Sequence, residues 1–328
     1  MTENPLPTPP KAIYWLAKEN LRKLVYVHSR SFVSNFRLED NPEIQEKQIY
    51  SEHIYIEKEE LLEIIDIAIR STKFITKGRG VELGAGCAAI SVELAKSSES
   101  IEQIYAVEIV PEIIEFAAIP LIAMHNLDKK VVPVVGDFDA IKLEDNSVDF
   151  VVEFDSLHHS FNLDKTIAES WRILKPGSQL LAIDRSHWNT SKRRRKELED
   201  QEYSAQYLLE RGLNLDIPIT RAENGEHEYL LSDYVSAFKL AGFSEVKWVL
   251  LIDPGYSILK LALISAISSR LRKKTRYHYI QTWPLRKLIF PVLLMKIFGI
   301  QKLGNFINFP RKKGSKRFQA KTVLIATK

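Results

Sequence analysis

Short, nearly continuous apolar runs recur along this chain and alternate with longer stretches whose apolar residues return every three or four positions. The runs at 81–83, 104–107, 131–135, 148–154, 179–184, 246–252 and 322–326 read as strands. A strand apolar throughout has both faces covered, and Val148-Asp149-Phe150-Val151-Val152 is of that kind. The stretches 57–71, 88–96, 163–174 and 233–240 carry the helical period. Pro111 opens another helix, where a missing N–H costs nothing, while Ser232 and Gly242 flank the last one as cap and terminator. Strands alternating with helices predict a doubly wound, mostly parallel seven-stranded sheet of the α/β class, with the final strand returning antiparallel.

The same patterning marks additions to that core. Residues 1–10 are Pro-rich and resist regular hydrogen bonding. From Lys11 to Val27, Ile13, Leu16, Ala17, Leu21, Leu24 and Val25 line one helical face; Tyr14 and Trp15 beside them would pack on the core or cover a substrate pocket. We therefore expect an N-terminal helical cap over 1–75, a core over 76–254 with a roof insert at about 190–231, a helical insertion over 255–317, and a last core strand in 318–328. The apolar segments 256–269 and 284–300 of the insertion are interrupted by basic runs too often to span a bilayer.

Charge sharpens this division. The chain has 328 residues with 46 Lys and Arg against 42 Asp and Glu, yet after Asp253 there are 17 basic residues and no acidic one. The insertion would meet an anionic membrane surface or lie on the acidic remainder as a lid. It has no RNA-reading motif, and no nucleic-acid partner is expected. One cysteine, Cys87, excludes an internal disulfide, and no signal peptide opens the chain, so a cytoplasmic enzyme, peripheral at the membrane's inner face if the insertion binds there, is expected.

Candidate chemistry begins at Val81-Glu82-Leu83-Gly84-Ala85-Gly86-Cys87-Ala88, a strand end running through small residues into a helix. Gly84 and Gly86 permit a tight turn and close approach of a ligand to the backbone, and the following helix start offers N–H groups. The stretch also fits the dinucleotide pattern Gly-x-Gly-x-x-Ala. Glu82 argues against that reading, since a carboxylate there would repel a pyrophosphate and would receive an ammonium. Glu108 ends the next strand and can accept from ribose hydroxyls, while Asp137 and Phe138 end the third and suit an exocyclic amine and a purine face. The ligand these groups describe is an amino-acid nucleoside.

With these residues the chain resembles the class I S-adenosylmethionine-dependent methyltransferases, a Rossmann-like fold, over roughly 79–252 plus the last strand. The acid-x-Gly-x-Gly-x-Gly motif falls on Glu82, Gly84 and Gly86, with Ala88 in place of the third glycine as a mild departure. The resemblance implies S-adenosyl-L-methionine as cofactor, held by Glu82, Gly84, Gly86, Glu108, the adjoining Ile109, Asp137 and Phe138. Leu157-His158-His159, after the fourth strand, matches a signature beside the methionine end. Methyl transfer to a hydroxyl or amine requires removal of a proton, which suits a histidine of near-neutral pKa; His158 and His227 are the candidate bases. His159, Arg185, His187 and Tyr229 are candidate contacts to the substrate, a small polar acceptor such as a sugar or lipid-linked saccharide, and Tyr50 and His53 are weaker ones. The paired histidines have no second cluster at zinc spacing, so no metal is expected. The competing readings are a nicotinamide-dependent oxidoreductase and a non-catalytic membrane-associated protein of the same fold.

Overall fold

The computed structural model describes residues 10–16, 41–50, 58–185, 192–209, 218–251 and 321–328. The strands are β1 (Ile13–Tyr14), β2 (Gly78–Leu83), β3 (Ile101–Glu108), β4 (Val131–Val135), β5 (Val148–Phe154), β6 (Leu174–Asp184), β7 (Glu245–Leu251) and β8 (Lys321–Thr327). They form one eight-stranded sheet in the order β1-β4-β3-β2-β5-β6-β8-β7. Pairing is parallel from β1 across to β6, and β8 runs antiparallel to both β6 and β7. From β2 the chain winds outward through β3 and β4, then returns to place β5 on the other side of β2. That reversal opens a crevice outside the carboxyl ends of β2 and β5, the usual ligand position in such sheets.

The helices are α1 (Pro42–Ile49), α2 (Lys58–Thr72), α3 (Ala89–Ser97), α4 (Pro111–Ile113), α5 (Ile119–Met124), α6 (Leu163–Ile173), α7 (Lys192–Glu199), α8 (Ala205–Leu209) and α9 (Leu231–Ala241). A π-helical turn, Ile114–Ala118, joins α4 to α5. Pro120 follows it and has no N–H to donate back along the helix, the kind of gap a π turn accommodates.

Strand alternation sends neighbouring side chains to opposite layers. Val81, Leu83, Val151, Leu180, Ala182 and Leu324 pack with Leu163, Ile167, Tyr234 and Phe238 of α6 and α9. Phe150, Val152, Leu181, Ile183 and Val323 pack with Leu61, Ile65 and Ala68 of α2 and with α3. Each such fully buried aliphatic chain contributes roughly 1.5–3 kcal/mol, so the sheet between them is a rigid platform. Gly80 is required here, because a Cβ on it would lie 2.1 Å from the Phe150 ring.

Three expectations are corrected. Ile13 and Tyr14 are an edge strand rather than the start of a helix: the Trp15 N–H donates to the Val135 carbonyl at 2.8 Å, and the Trp15 indole covers Gly136. The open edge of β4 and the burial of an indole outweigh helical periodicity, while Tyr14 is left 44% exposed. The sheet consequently has an eighth strand. Helix α9 begins before Ser232, since the Asp233 carboxylate reaches back to the Leu230 N–H at 2.8 Å and fixes the first turn there. Helix α7 is tied to the elements that follow it: Arg195 donates to Asp233 at 2.8 Å, and Glu199 accepts from the Glu228 N–H at 2.9 Å. Residues 255–317, 51–57 and 186–191, and with them His53 and His187, lie outside the described residues. Among the described residues no helix is long and apolar enough to cross a membrane.

Candidate active site

The corner between β2 and α3 holds three alternate left-handed residues, Gly84 at φ +59°, Gly86 at φ +52° and Ala88 at φ +62°. A Cβ on Gly84 would stand 2.4 Å from Ser156 Cβ. The loops after β2 and β5 therefore touch, and the Ser156 hydroxyl closes the seam by donating to the Leu83 carbonyl at 2.8 Å. Gly84→Ala combines a left-handed backbone with overpacking; it should lower stability by about 2–4 kcal/mol in urea unfolding, and an unshifted midpoint would contradict this account of the corner. Ala88 occupies the third glycine position with the backbone a glycine would adopt, at a cost of about 1 kcal/mol. Cys87 is a buried, packed thiol whose pKa burial pushes up.

The three strand-end acids stand on adjacent strands, with Leu83 opposite Val107 and Glu108 opposite Val135. Glu108 lies at the end of β3. Its Oε2 accepts from the Gly86 N–H and its Oε1 from the Val110 N–H, both at 3.0 Å, so it couples the glycine corner to the tip of β3. Burial raises its pKa, and these backbone donors oppose the rise. The Ile109 N–H adds a third backbone donor, and a carboxylate has about four acceptor positions. Ile109 beside it is half-buried against the core. Asp137 accepts from the Asp139 N–H at 2.8 Å, shaping the turn after β4. The ring of Phe138 comes within 3.7 Å of where a Gly84 Cβ would be, across the crevice.

Glu82 is a more internal group than its position in the motif implied. It is 2% exposed, and its Oε2 accepts from both the backbone N–H, at 2.9 Å, and the hydroxyl of Ser91, tying β2 to α3. Burial pushes its pKa up to about 8 from 4.5. The folded protein keeps a proton that the unfolded chain releases, so this group's contribution to stability is intact below the lower value and is lost as pH rises towards the higher. Glu82→Gln should remove up to one proton of that dependence, about 1 kcal/mol per pH unit. Denaturant titrations between those limits test this, and parallel slopes for the two proteins would refute it.

On the far side of the crevice, the loop after β5 forms a 3-10 turn, Leu157–His159. Glu153, fully buried at the end of β5, accepts through Oε2 from the Ser156 N–H and hydroxyl and from the Leu157 N–H. Its other oxygen is buried without a hydrogen-bond partner, and burial next to Asp184 raises its pKa. His158 is buried; its N–H and Nδ1 donate to the two oxygens of Asp184 at 2.8 and 2.7 Å. Asp184 also accepts from the Tyr234 hydroxyl at 3.0 Å and the Arg185 N–H at 2.7 Å. Glu153, Asp184 and Tyr234 were not singled out from the sequence. The two acids obey the strand-tip rule that identified Glu108, which would have found them.

The roof insert supplies the remaining wall. His159 Nδ1 donates to the Gly225 carbonyl at 3.1 Å, and Arg185 pairs with Glu226 while its Nε remains buried without a hydrogen-bond partner. Arg221 holds Glu228 at 2.7 Å. The His227 N–H donates to the His158 carbonyl at 3.0 Å, joining the two histidine-bearing loops. The His227 ring lies edge-on to Phe161 and 5.6 Å from Tyr229. Its Nε2 is buried without a hydrogen-bond partner, and burial lowers its pKa. Tyr229 donates to the Ser160 carbonyl at 2.6 Å, so its phenol braces the loop, and burial pushes its pKa up to about 12. Tyr50 is a core residue donating to Glu93 at 3.2 Å, and its expected contact with substrate is withdrawn.

Comparison with known proteins bears on the same residues. A sequence family described as a methyltransferase domain matches residues 81–182. A sterol 24-C-methyltransferase, erg6 of Schizosaccharomyces pombe (strain 972 / ATCC 24843), is 44% identical over 53 residues, 16% of this chain and 14% of that protein. The chain therefore spans well under two thirds of the length of that relative. Among solved structures, phosphoethanolamine N-methyltransferase 2 of Haemonchus contortus in complex with S-adenosyl-L-methionine aligns with a TM-score of 0.47 at 14% identity, covering 92% of this chain and 60% of that one. The cyclase SpnF aligns with a TM-score of 0.46 at 15% identity over 81% and 80%. The matched region runs from the first motif strand to the last residues of β6, so that residues 81–182 match a methyltransferase domain.

Proposed function

We propose that this protein transfers a methyl group from S-adenosylmethionine to a small polar acceptor bearing a hydroxyl or amine. The observation that carries the reading is Glu108, whose carboxylate anchors the glycine corner yet retains acceptor capacity at the mouth of the crevice. Beside it, Gly84 and Gly86, both at positive φ, let the backbone turn tightly at the corner. These residues suit the ribose of the nucleoside, with Phe138 and Asp137 on its base side. When bound, S-adenosylmethionine supplies an electrophilic methyl group on a sulfonium.

The chain's own part is to position the acceptor and take its proton. His227 fits that role, because desolvation keeps its imidazole neutral and Nε2 is buried with no hydrogen-bond partner to occupy it. The hydroxyls, imidazoles and carboxylates of the roof favour a hydroxyl-rich acceptor, such as a sugar or a lipid-linked saccharide, over an apolar one. The anionic-surface contact expected of 255–317 concerns residues outside those described. Calorimetry with S-adenosylmethionine and with NADH, followed by mass spectrometry of metabolite extracts for species gaining a methyl group, tests the reading. Binding of NADH alone, or S-adenosylmethionine binding without any transfer, would reject it in favour of an oxidoreductase or a non-catalytic protein respectively.

A further inference from the structure

We propose that His158, His159 and Glu226 form a site for one divalent transition metal of the zinc type, in the loops above β5 and β6. A ring nitrogen from each histidine and a carboxylate oxygen of Glu226 lie within 4.8 Å of one another, with His159 Nε2 at 3.7 Å from Glu226 Oε1. Zinc–ligand bonds of about 2.0–2.1 Å put tetrahedral ligands roughly 3.3 Å apart. Side-chain rotations moving the ligand atoms by about 1 Å would close the set.

The orientation of each imidazole is already that of a metal ligand. The Gly225 carbonyl can only accept, so His159 Nδ1 carries the proton and Nε2 the lone pair. Asp184 receives four donors, including His158 Nδ1, so that nitrogen too is protonated and Nε2 is the one His158 has to offer. A carboxylate or carbonyl behind each ring is the outer shell that metal-binding histidines use to fix tautomer and direction. Glu226 is similarly divided. Arg185 and Arg221 both approach Oε2, while Oε1 faces His159.

Electrostatics favours a cation at this point. Asp155, Asp184 and Glu226 approach the two imidazoles at 3.9, 2.7 and 3.7 Å; Arg185 and Arg221 lie on Glu226, and Arg185 also interacts with Asp155 and Asp184, so three carboxylates face two guanidiniums here. Three protein ligands leave a position open, the arrangement of zinc sites that bind water or a substrate oxygen. Of the two other histidine-acid clusters among the described residues, Asp155, His158 and Asp184 shares His158 with this site, whereas Glu46, Glu93 and His125 already holds the Lys58 ammonium at 2.5 and 3.5 Å from its carboxylates, and so serves as a control. The metal inference does not depend on the methyl-transfer reading, because its readout is the metal alone.

The test strips the full-length chain with a chelator and titrates Zn2+ by calorimetry, with elemental analysis of the dialysed protein. We expect one zinc per chain, bound at least ~10-fold more weakly by Glu226→Gln and His159→Ala and unchanged by His125→Ala. Circular dichroism confirms the fold of each variant. Cobalt absorption on the unaltered protein provides a second measure: intense ligand-field bands of a four-coordinate ion support the site. A wild-type protein that retains no zinc, equal affinity in every folded variant, or only weak octahedral cobalt bands would overturn it.

Discussion

The Glu108→Ala variant is expected to bind S-adenosylmethionine about 100-fold more weakly than the unaltered protein while remaining folded. Two ribose hydroxyls donating to one carboxylate form charge-assisted hydrogen bonds, each worth about 1.5–3 kcal/mol. These bonds are not fully additive, and a loss near 3 kcal/mol corresponds to roughly two orders of magnitude in affinity. The substitution also strips the acceptor from the Gly86 and Val110 N–H groups, so part of the loss arises from a looser corner. Calorimetry separates affinity from fold when paired with a thermal melt. Unaltered affinity in a folded Glu108→Ala protein would remove the observation on which the functional reading stands.

The second large effect is expected at His227. His227→Ala should reduce turnover by about 10²- to 10⁴-fold, the usual contribution of a general base, with affinity for S-adenosylmethionine unchanged. The pH profile carries the sharper test. Burial lowers the pKa of His227 below 6.5, so the base is neutral and competent above that lowered value and protonated below it. Activity should therefore rise with pH and level off before pH 6.5, and the variant should lose this acid limb. Persistence of the limb in His227→Ala would assign the proton transfer to another group, with His158 and its Asp184 partner next in line.

Much of the scaffold could be read from local pattern. The apolar runs located seven of the strands because a strand covered on both faces leaves few polar positions, and the antiparallel return of β8 followed from the order of elements. The glycine corner was visible because left-handed backbone selects glycine, and Glu108 because ligands gather at strand tips. Local pattern misled at Ile13 and Tyr14, whose helical spacing gave way to the unpaired edge of β4 and a buried indole. It also gave Glu82 an outward role that Ser91 partly takes up, a helical partner one turn into α3.

The histidine side of the crevice divides along the same line. Leu157-His158-His159 announced itself as a cluster of titratable groups, but nothing nearby in the chain shows what those rings face. Asp184 comes from the end of β6, Tyr234 from α9, and Gly225, Glu226 and His227 from the roof. The sheet, its corner and the acids at the tips of β2, β3 and β4 were legible in the order of residues, because periodicity, backbone handedness and strand-end position are local properties. What His158 and His159 hydrogen-bond to, and which carboxylates are internal, emerged from the folded chain. Those properties depend on burial and on partners brought together from distant parts of the chain.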